Sequence, residues 1–208
     1  MLLVAVVGAL VLVDLAARRY TEARVERSVR DAVSAGHLVA DDIDASIDSF
    51  PFLGRVLAAG EVPGVTISLR DVGGQGVEVE EVVVDVRGTR IDRSTLLTDQ
   101  RVLIGEIDSA TVDARITEEA LSAALGLTVD LEADGTTVSG GGVTSPGTVE
   151  VVGRTILIGA PAFGTLVIAI PGPEYLPCDE VDVEVVTDAL ELRCVTDELP
   201  AAVVPAVS

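Results

Sequence analysis

Two cysteines, one histidine, a run of aspartates and three consecutive glycines are the residues whose type and spacing could do chemistry in this chain. Cys178 and Cys194 form no Cys-x-x-Cys pattern. An even number of cysteines outside such a pattern favours a disulfide and an oxidising compartment over a metal site, with two buried thiols as the alternative. Residues 181–186 and 190–192 read as a hairpin turning near Thr187-Asp188-Ala189. Its geometry leaves the sulfurs a few positions from direct opposition, so a bridge needs a bulge or a flexible arm at Leu176-Pro177. His37 has no Ser or Cys nearby to make a nucleophile–base pair and reads as a surface or satisfied residue. Asp41-Asp42-Ile43-Asp44-Ala45-Ser46-Ile47-Asp48 has the outline of a calcium loop. Counting from Asp42, though, the sixth position is Ile47 where Gly is needed and the twelfth is Leu53 where Glu is needed. The run therefore reads as a solvated acidic connector. Gly140-Gly141-Gly142 lacks the lysine and the following helix of a phosphate loop and reads as a turn. Carboxylates are plentiful, but no pair is singled out by spacing for acid–base work. The expectation is a protein that is not an enzyme, with no catalytic residue, no metal and no cofactor.

Composition narrows the partners. Fourteen basic residues against 34 acidic ones give a net charge of −20, which argues against nucleic acid, whose phosphates need a basic face. Hydrophobic residues make up 49% of the chain with only 2% aromatic and no Trp, so the apolar mass is Val, Leu, Ile and Ala. That suits acyl chains better than bases or sugars. From Leu2 to Val13 the chain is uninterruptedly apolar; Asp14 breaks the run before Leu15-Ala16-Ala17-Arg18-Arg19. The run is short of the roughly 20 residues that span a bilayer, though continuation of the helix past Asp14 would bring it close. It has the length of a signal-peptide core without a basic leader or a small-x-small cleavage site. Arginines on its C-terminal side alone would hold the domain in the cytoplasm by the positive-inside rule, whereas the cysteines point outward. Export is the expectation, with a basic leader preceding Met1 and an uncleaved anchor in preference to a cleaved signal. Residues 1–16 are thus set apart as signal anchor or signal peptide, and 17–208 as a single domain.

The elements that must carry these residues follow from periodicity. Between Ala17 and Gly36, Val25, Val29, Ala32, Val33 and Gly36 make one stripe of a helix, with Arg24, Arg27, Arg30 and Asp31 off it. Glu26 with Arg30 and Arg27 with Asp31 are spaced for i,i+4 pairs. Arg18, Arg19, Arg24, Arg27 and Arg30 also lie beside the apolar segment, where basic residues attract anionic headgroups. Phe50 to Gly60 reads as a short apolar helix feeding two aliphatic strands. In the second strand the apolar parity passes from Val77 and Val79 to Val82, Val84 and Val86. A similar slip takes Leu103, Gly105 and Ile107 to Ala110, Val112, Ala114 and Ile116. Each slip implies a β-bulge and a strongly curved sheet. Thr117 to Gly126 has the signature of a capped helix, with Thr117 as N-cap, a staple of Ile116 with Leu121, and Gly126 as C′. A glycine-punctuated meander follows, in which residues 149–158 and 163–170 are the most apolar strands. The second is apolar on both parities, which implies greasy surroundings on each side.

Several of these features occur together in a recognisable order. They are the apolar N-terminus ending in Asp14 before a charged helix, the Phe50-Pro51-Phe52-Leu53 turn, the Leu57-x-x-Gly60-x-x-x-Gly64-Val65 exit into a Val-rich strand pair, the Ala-Leu helix after Ile116, and the Leu176-Pro177-Cys178 to Cys194 hairpin with Leu199-Pro200. In order and spacing the chain resembles the LmeA (lipomannan elongation factor A) family of actinobacterial phospholipid-binding proteins. The resemblance implies an extracytoplasmic cell-envelope protein, anchored or secreted, that binds phospholipid, phosphoinositides included. It further implies support of envelope glycolipid assembly without an enzymatic step.

The expected fold is α+β: a strongly curved antiparallel β-sheet wrapped around an amphipathic helix, tubular and lipid-binding-like. An aliphatic groove is expected from Phe52, Leu53, Val56, Leu57, Val84, Val112, Leu166 and Ile168. Burying acyl CH₂ groups at about 0.8 kcal/mol each would give affinity without a polar motif. The alternative is a membrane-tethered structural domain whose strands simply fill its own core.

Overall fold

The computed structural model describes residues 2–35, 38–73, 76–91, 104–153, 155–170, 178 and 180–197. His37, Gly36, Leu103, the connector 171–177 and the tail from 198 onward lie outside the described residues. Strands dominate, with helices at two corners, so the class is α+β. The elements run α1 Leu2–Ala35, β1 Asp42–Ile47, α2 Phe52–Ala58, β2 Glu61–Val72, β3 Val79–Ile91, β4 Ile104–Glu106, β5 Ser109–Thr117 and α3 Glu118–Leu125. The meander follows as β6 Thr128–Glu132, β7 Gly135–Gly140, β8 Val143–Val152, β9 Thr155–Ala160 and β10 Gly164–Ala169, and the final hairpin is β11 Asp182–Val186 with β12 Ala189–Thr196.

These strands make two antiparallel sheets where a single curved one was expected, and neither closes into a barrel. The larger has the order β1-β2-β3-β5-β12-β11, with β4 also pairing β3; the smaller is β10-β9-β8-β7-β6. The division has a local cause. The second flank of β5 is taken by β12, so the chain leaving α3 finds no free edge there and starts a sheet of its own.

Register places the aliphatic residues of the larger sheet in rows across it. One row is Ile43, Leu69, Val82, Ala114, Leu192 and Val183; the next is Ala45, Ile67, Val84, Val112 and Cys194. Alternation in each strand turns these residues to one face, and nearly all are buried there. The opposite face carries charge. Arg115 joins Glu80 at 3.0 Å and Glu191 at 2.8 Å, Arg193 joins Asp113 at 3.4 Å, and Arg70 stands 3.8 Å from Glu81. The aspartate run is not a connector but strand β1, in which Ile43, Ala45 and Ile47 face the core while Asp42 and Asp44 face water.

The slip at Glu80-Glu81 is present without a bulge, whereas the β3–β4 ladder does shift register between Arg90 and Ile91, where the pairs Arg90↔Glu106 and Ile91↔Ile104 leave Gly105 as the extra residue. Around Glu80-Glu81 the pairs Leu69↔Val82, Arg70↔Glu81 and Val72↔Val79 keep one register, so neither strand gains a residue. Instead both strands turn over together, with Asp71 in the left-handed region at φ 50°. Beyond the last β3–β5 pair, Glu81↔Arg115, the β2–β3 ribbon leaves the sheet and buries its other face through Val72, Val77 and Val79. The chain also steps out of the ladder at Ile107-Asp108, between β4 and β5. Opposite it, Gly88 takes φ 64°, and the Asp108 N–H donates to the Arg87 carbonyl at 2.9 Å. A Cβ on Gly88 would overlap the Asp108 carboxylate. Gly88→Ala should therefore cost about 2 kcal/mol, from the left-handed backbone plus displacement of that carboxylate. The midpoint of urea unfolding reads it, and an unchanged midpoint would refute the steric account.

Helix α3 forms as its local code dictates. Thr117 Oγ1 accepts from the Ala120 N–H at 3.2 Å, and Gly126 ends the helix at φ 66° with its N–H donating to the Ser122 carbonyl. Ile116 and Leu121 are both fully buried in the main core. Glu118 and Ser122 then accept from the N–H groups of Leu131 and Val129, fastening α3 to β6. The expected strand 149–158 is two strands, because Gly153 at φ 58° turns β8 back into β9. In β10 only one parity is covered: Leu166 and Ile168 face the core, whereas Val167 is 62% exposed.

Helix α1 runs unbroken through Asp14, from Leu2 to Ala35. Val29 and Val33 are buried in the main core with Val25 packed beside them, as the stripe predicts. The helix lies against β1, at the edge of the sheet, and against α2. Neither of the i,i+4 pairs read from the sequence forms; Arg27 Nε donates to the Ala23 carbonyl, and Arg18 pairs with Glu22 at 2.8 Å. Among the described residues no helix is long and apolar enough to cross a membrane.

Candidate functional site

The residues expected to line one groove fall into two groups. Phe52 and Val56, one turn apart on α2, are buried with Ile47 and Val62, and Ala17, Leu53 and Val65 pack against them. Val84 and Val112 are directly opposed on β3 and β5 in the centre of the larger sheet, 4% and 0% exposed. Ile168 is buried on the inner face of β10, and Leu166 is half-buried beside it. Val65 packs against both clusters and is the link between them. Leu57 belongs to neither; it points outward and is 58% exposed.

The sequence reading missed the stretch where the inner faces are incompletely covered. The terminal strand β11 approaches β6 and β8 of the smaller sheet. Along that seam Val181, Val183 and Val185 on one side, and Val149 and Val151 on the other, are half-buried against the core. Their parity was legible as an alternation of valines. Their incomplete burial was not, since it depends on how two sheets meet.

Asp14 does more than interrupt an apolar run. It is buried, and its two carboxylate oxygens accept from the backbone N–H groups of Phe52 at 2.9 Å and Leu53 at 2.7 Å. The residue at the N-cap position of α2 is Pro51, which offers no side-chain cap. Asp14 therefore supplies from another helix the acceptor that the first turn of α2 lacks. Two turns on, Glu22 accepts from the Ile47 N–H at 3.0 Å, so α1 is fastened to the body twice.

The arginines divide by location. On the sheets, Arg70, Arg87, Arg90, Arg115 and Arg193 each have a carboxylate partner. On the helices only Arg18 does; Arg19, Arg24, Arg30 and Arg55 have no ion pair or side-chain hydrogen bond among the described residues, and Arg27 bonds only its own helix. Among the described residues of this strongly acidic protein, the unneutralised cations are thus gathered on α1 and α2.

Cys178 and Cys194 are bridged, with Cα atoms 6.0 Å apart. Register puts Asp182 opposite Arg193, so Cys178 reaches Cys194 from outside the hairpin, as the offset required. The bridge ends in the Val84–Val112 row and closes the connector onto the core. Among the described residues, clefts open on two outer faces. One, of about 560 Å³, lies among the charged side chains of Glu81, Asp113, Arg115, Glu184, Glu191 and Arg193. The other, of about 470 Å³, is a slot over Gly147, Thr148, Gly159 and Thr165 on the smaller sheet. Neither includes a residue expected to hold lipid. Among the described residues no three His, Cys, Asp or Glu side chains gather as metal ligands do.

Comparison with curated proteins and with solved structures gives no match. A family model described as LmeA-like phospholipid-binding does match, over residues 12–208, a span that takes in Asp14, both sheets and the disulfide. The chain belongs to the LmeA-like phospholipid-binding family.

Proposed function

We propose that this protein binds phospholipid, phosphoinositides included, at the extracytoplasmic face of the plasma membrane. In this reading it serves envelope glycolipid assembly or lipid trafficking without catalysing a reaction. The observation that carries the reading is family membership over nearly the whole chain. Two features support it. The half-buried valines between β11 and β8 give an acyl chain an aliphatic surface to complete. The disulfide suits an oxidising compartment. The membrane is reached through the apolar start of α1, with Arg18, Arg19, Arg24, Arg27 and Arg30 beside anionic headgroups. Leu53 and Leu166, half-buried against the two clusters, are candidate acyl contacts, with Phe52, Val56 and Ile168 buried behind them.

A second reading, a membrane-tethered structural domain without ligand, has one observation in its favour. Val84 and Val112, which were to line the groove, are fully enclosed by the protein's own side chains. Lipid analysis separates the two. Full-length protein purified in mild detergent should carry phospholipid into native mass spectrometry. Monomeric short-chain phosphatidylinositol at about ten times its Kd should add about 1.4 kcal/mol of stability and raise Tm by about 3–6 °C. No bound lipid and no shift would leave the structural reading.

A further inference from the structure

The large apolar side chains that the fold leaves in water are not scattered evenly. Of the twelve exposed among the described residues, Leu10, Leu12, Val13, Leu15 and Tyr20 lie on α1, and Phe50 and Leu57 lie at the two ends of α2. Val39, Val143, Val152, Val167 and Val195 are single residues dispersed elsewhere, as is normal for a soluble surface. The cluster is held together by Asp14, whose carboxylate fixes the start of α2 against α1. Leu10 stands one turn before Asp14, about 6 Å along the helix axis, so α2 sits immediately beside the apolar end of α1.

Charge has the same asymmetry. Arg19 and Arg55, without partners among the described residues, sit on these same two helices, while every described arginine of the sheets is spent on a carboxylate. The outer sheet face, lined with Glu81, Asp85, Asp113 and Glu191, would be repelled by anionic headgroups. The α1–α2 corner combines exposed apolar side chains with unneutralised cations, which is the pattern of a surface that lies in a lipid interface.

We propose that α2 is a second membrane contact: the corner it forms with α1 rests on an anionic phospholipid bilayer, with Phe50 and Leu57 in the headgroup–acyl boundary and Arg19 and Arg55 against the phosphates. The occupant is a bilayer surface, because exposed apolar side chains and arginines without partners among the described residues occur together on these two helices; Asp48 and Glu61 are also exposed at the two ends of α2, and a second copy of the chain is an outcome of the test. The proposal rests on the phospholipid reading for its partner, but it assigns a surface that a bound lipid alone would not require.

Absence of tryptophan from the chain makes single indoles clean reporters. Full-length Phe50→Trp and Leu57→Trp variants are placed in phosphatidylcholine vesicles, with or without phosphatidylglycerol, containing brominated acyl chains. Val167→Trp and Val195→Trp, 62% and 65% exposed on the sheets, are the controls. With phosphatidylglycerol present, the two α2 reporters should shift to the blue and be quenched about twofold, with the controls unchanged. Adding Arg55→Glu to Phe50→Trp should remove much of that quenching. Monomeric short-chain phosphatidylglycerol should leave the α2 indoles water-like, since it offers a lipid but no surface. Unquenched α2 indoles in a protein that still shows the phosphatidylinositol thermal shift would overturn the corner and leave phospholipid binding standing. Quenched sheet reporters would overturn it in favour of the opposite face. A blue shift that needs no lipid and grows with protein concentration would overturn it in favour of self-association.

Discussion

Replacing Asp14 with alanine is expected to cost about 3 kcal/mol. Two hydrogen bonds to a charged acceptor are lost, each worth about 1.5–3 kcal/mol, and the N–H groups of Phe52 and Leu53 are left to find water at a site where Phe52 is buried. In a chain of this length that is roughly 6–12 °C in Tm. Part of the loss should be local, because α2 has only seven residues and no cap of its own. Amide exchange in α2 should accelerate before that of β3 or β5. Asp14→Asn keeps one acceptor oxygen and should recover about half of the effect. If Asp14→Ala unfolds within about 0.5 kcal/mol of the parent and α2 exchanges no faster, the two bonds are not holding the corner.

Removing the disulfide should have an effect of similar size. The bridge closes a 16-residue separation, which the chain-entropy treatment converts into about 3 kcal/mol. Alanine is the replacement to use at both positions, since Cys194 is 2% exposed within an aliphatic row and a serine there would bury a hydroxyl. The double variant should melt roughly 6–12 °C below the parent. Parent protein freshly isolated under native conditions should offer no thiol to an alkylating reagent until it is reduced, and two afterwards. Two reactive thiols in freshly isolated protein, with a melting point like that of the double alanine variant, would place it in a reducing compartment and remove the support for export.

What could be read in advance was what short-range chemistry decides. Thr117, Gly126 and the residues between them spell out α3, because caps and helical periodicity act within a few residues. The stripe Val25, Val29, Val33 was legible for the same reason. Asp14 was not: it read as a break in an apolar run, since the N–H groups it accepts from lie 38 and 39 positions away. Low β-propensity of aspartate hid strand β1, although Ile43, Ala45 and Ile47 alternate as a strand must. The phase change at Glu80-Glu81 was visible, but a one-strand bulge and a two-strand turnover leave the same mark in either strand taken alone; the register shift opposite Gly105 is of the kind that the second change implied. The groove residues illustrate the limit for function. Period-two alternation says that Val84, Val112, Leu166 and Ile168 face inward. It cannot say whether another layer lies across from them, and for Val84 and Val112 one does.

The two fastenings of α1, at Asp14 and at Glu22, remove any joint between its apolar turns and the body. Residues 2–13 would extend about 18 Å of helix beyond the first fastening, and nothing glycine-rich or proline-containing stands between them and the sheets. With the start of α1 held in a membrane, as proposed, the body could not swing as a bead on a flexible tether would; it would inherit the tilt of the helix. Lengthening the chain at that point would not give it more reach unless a hinge were built in as well.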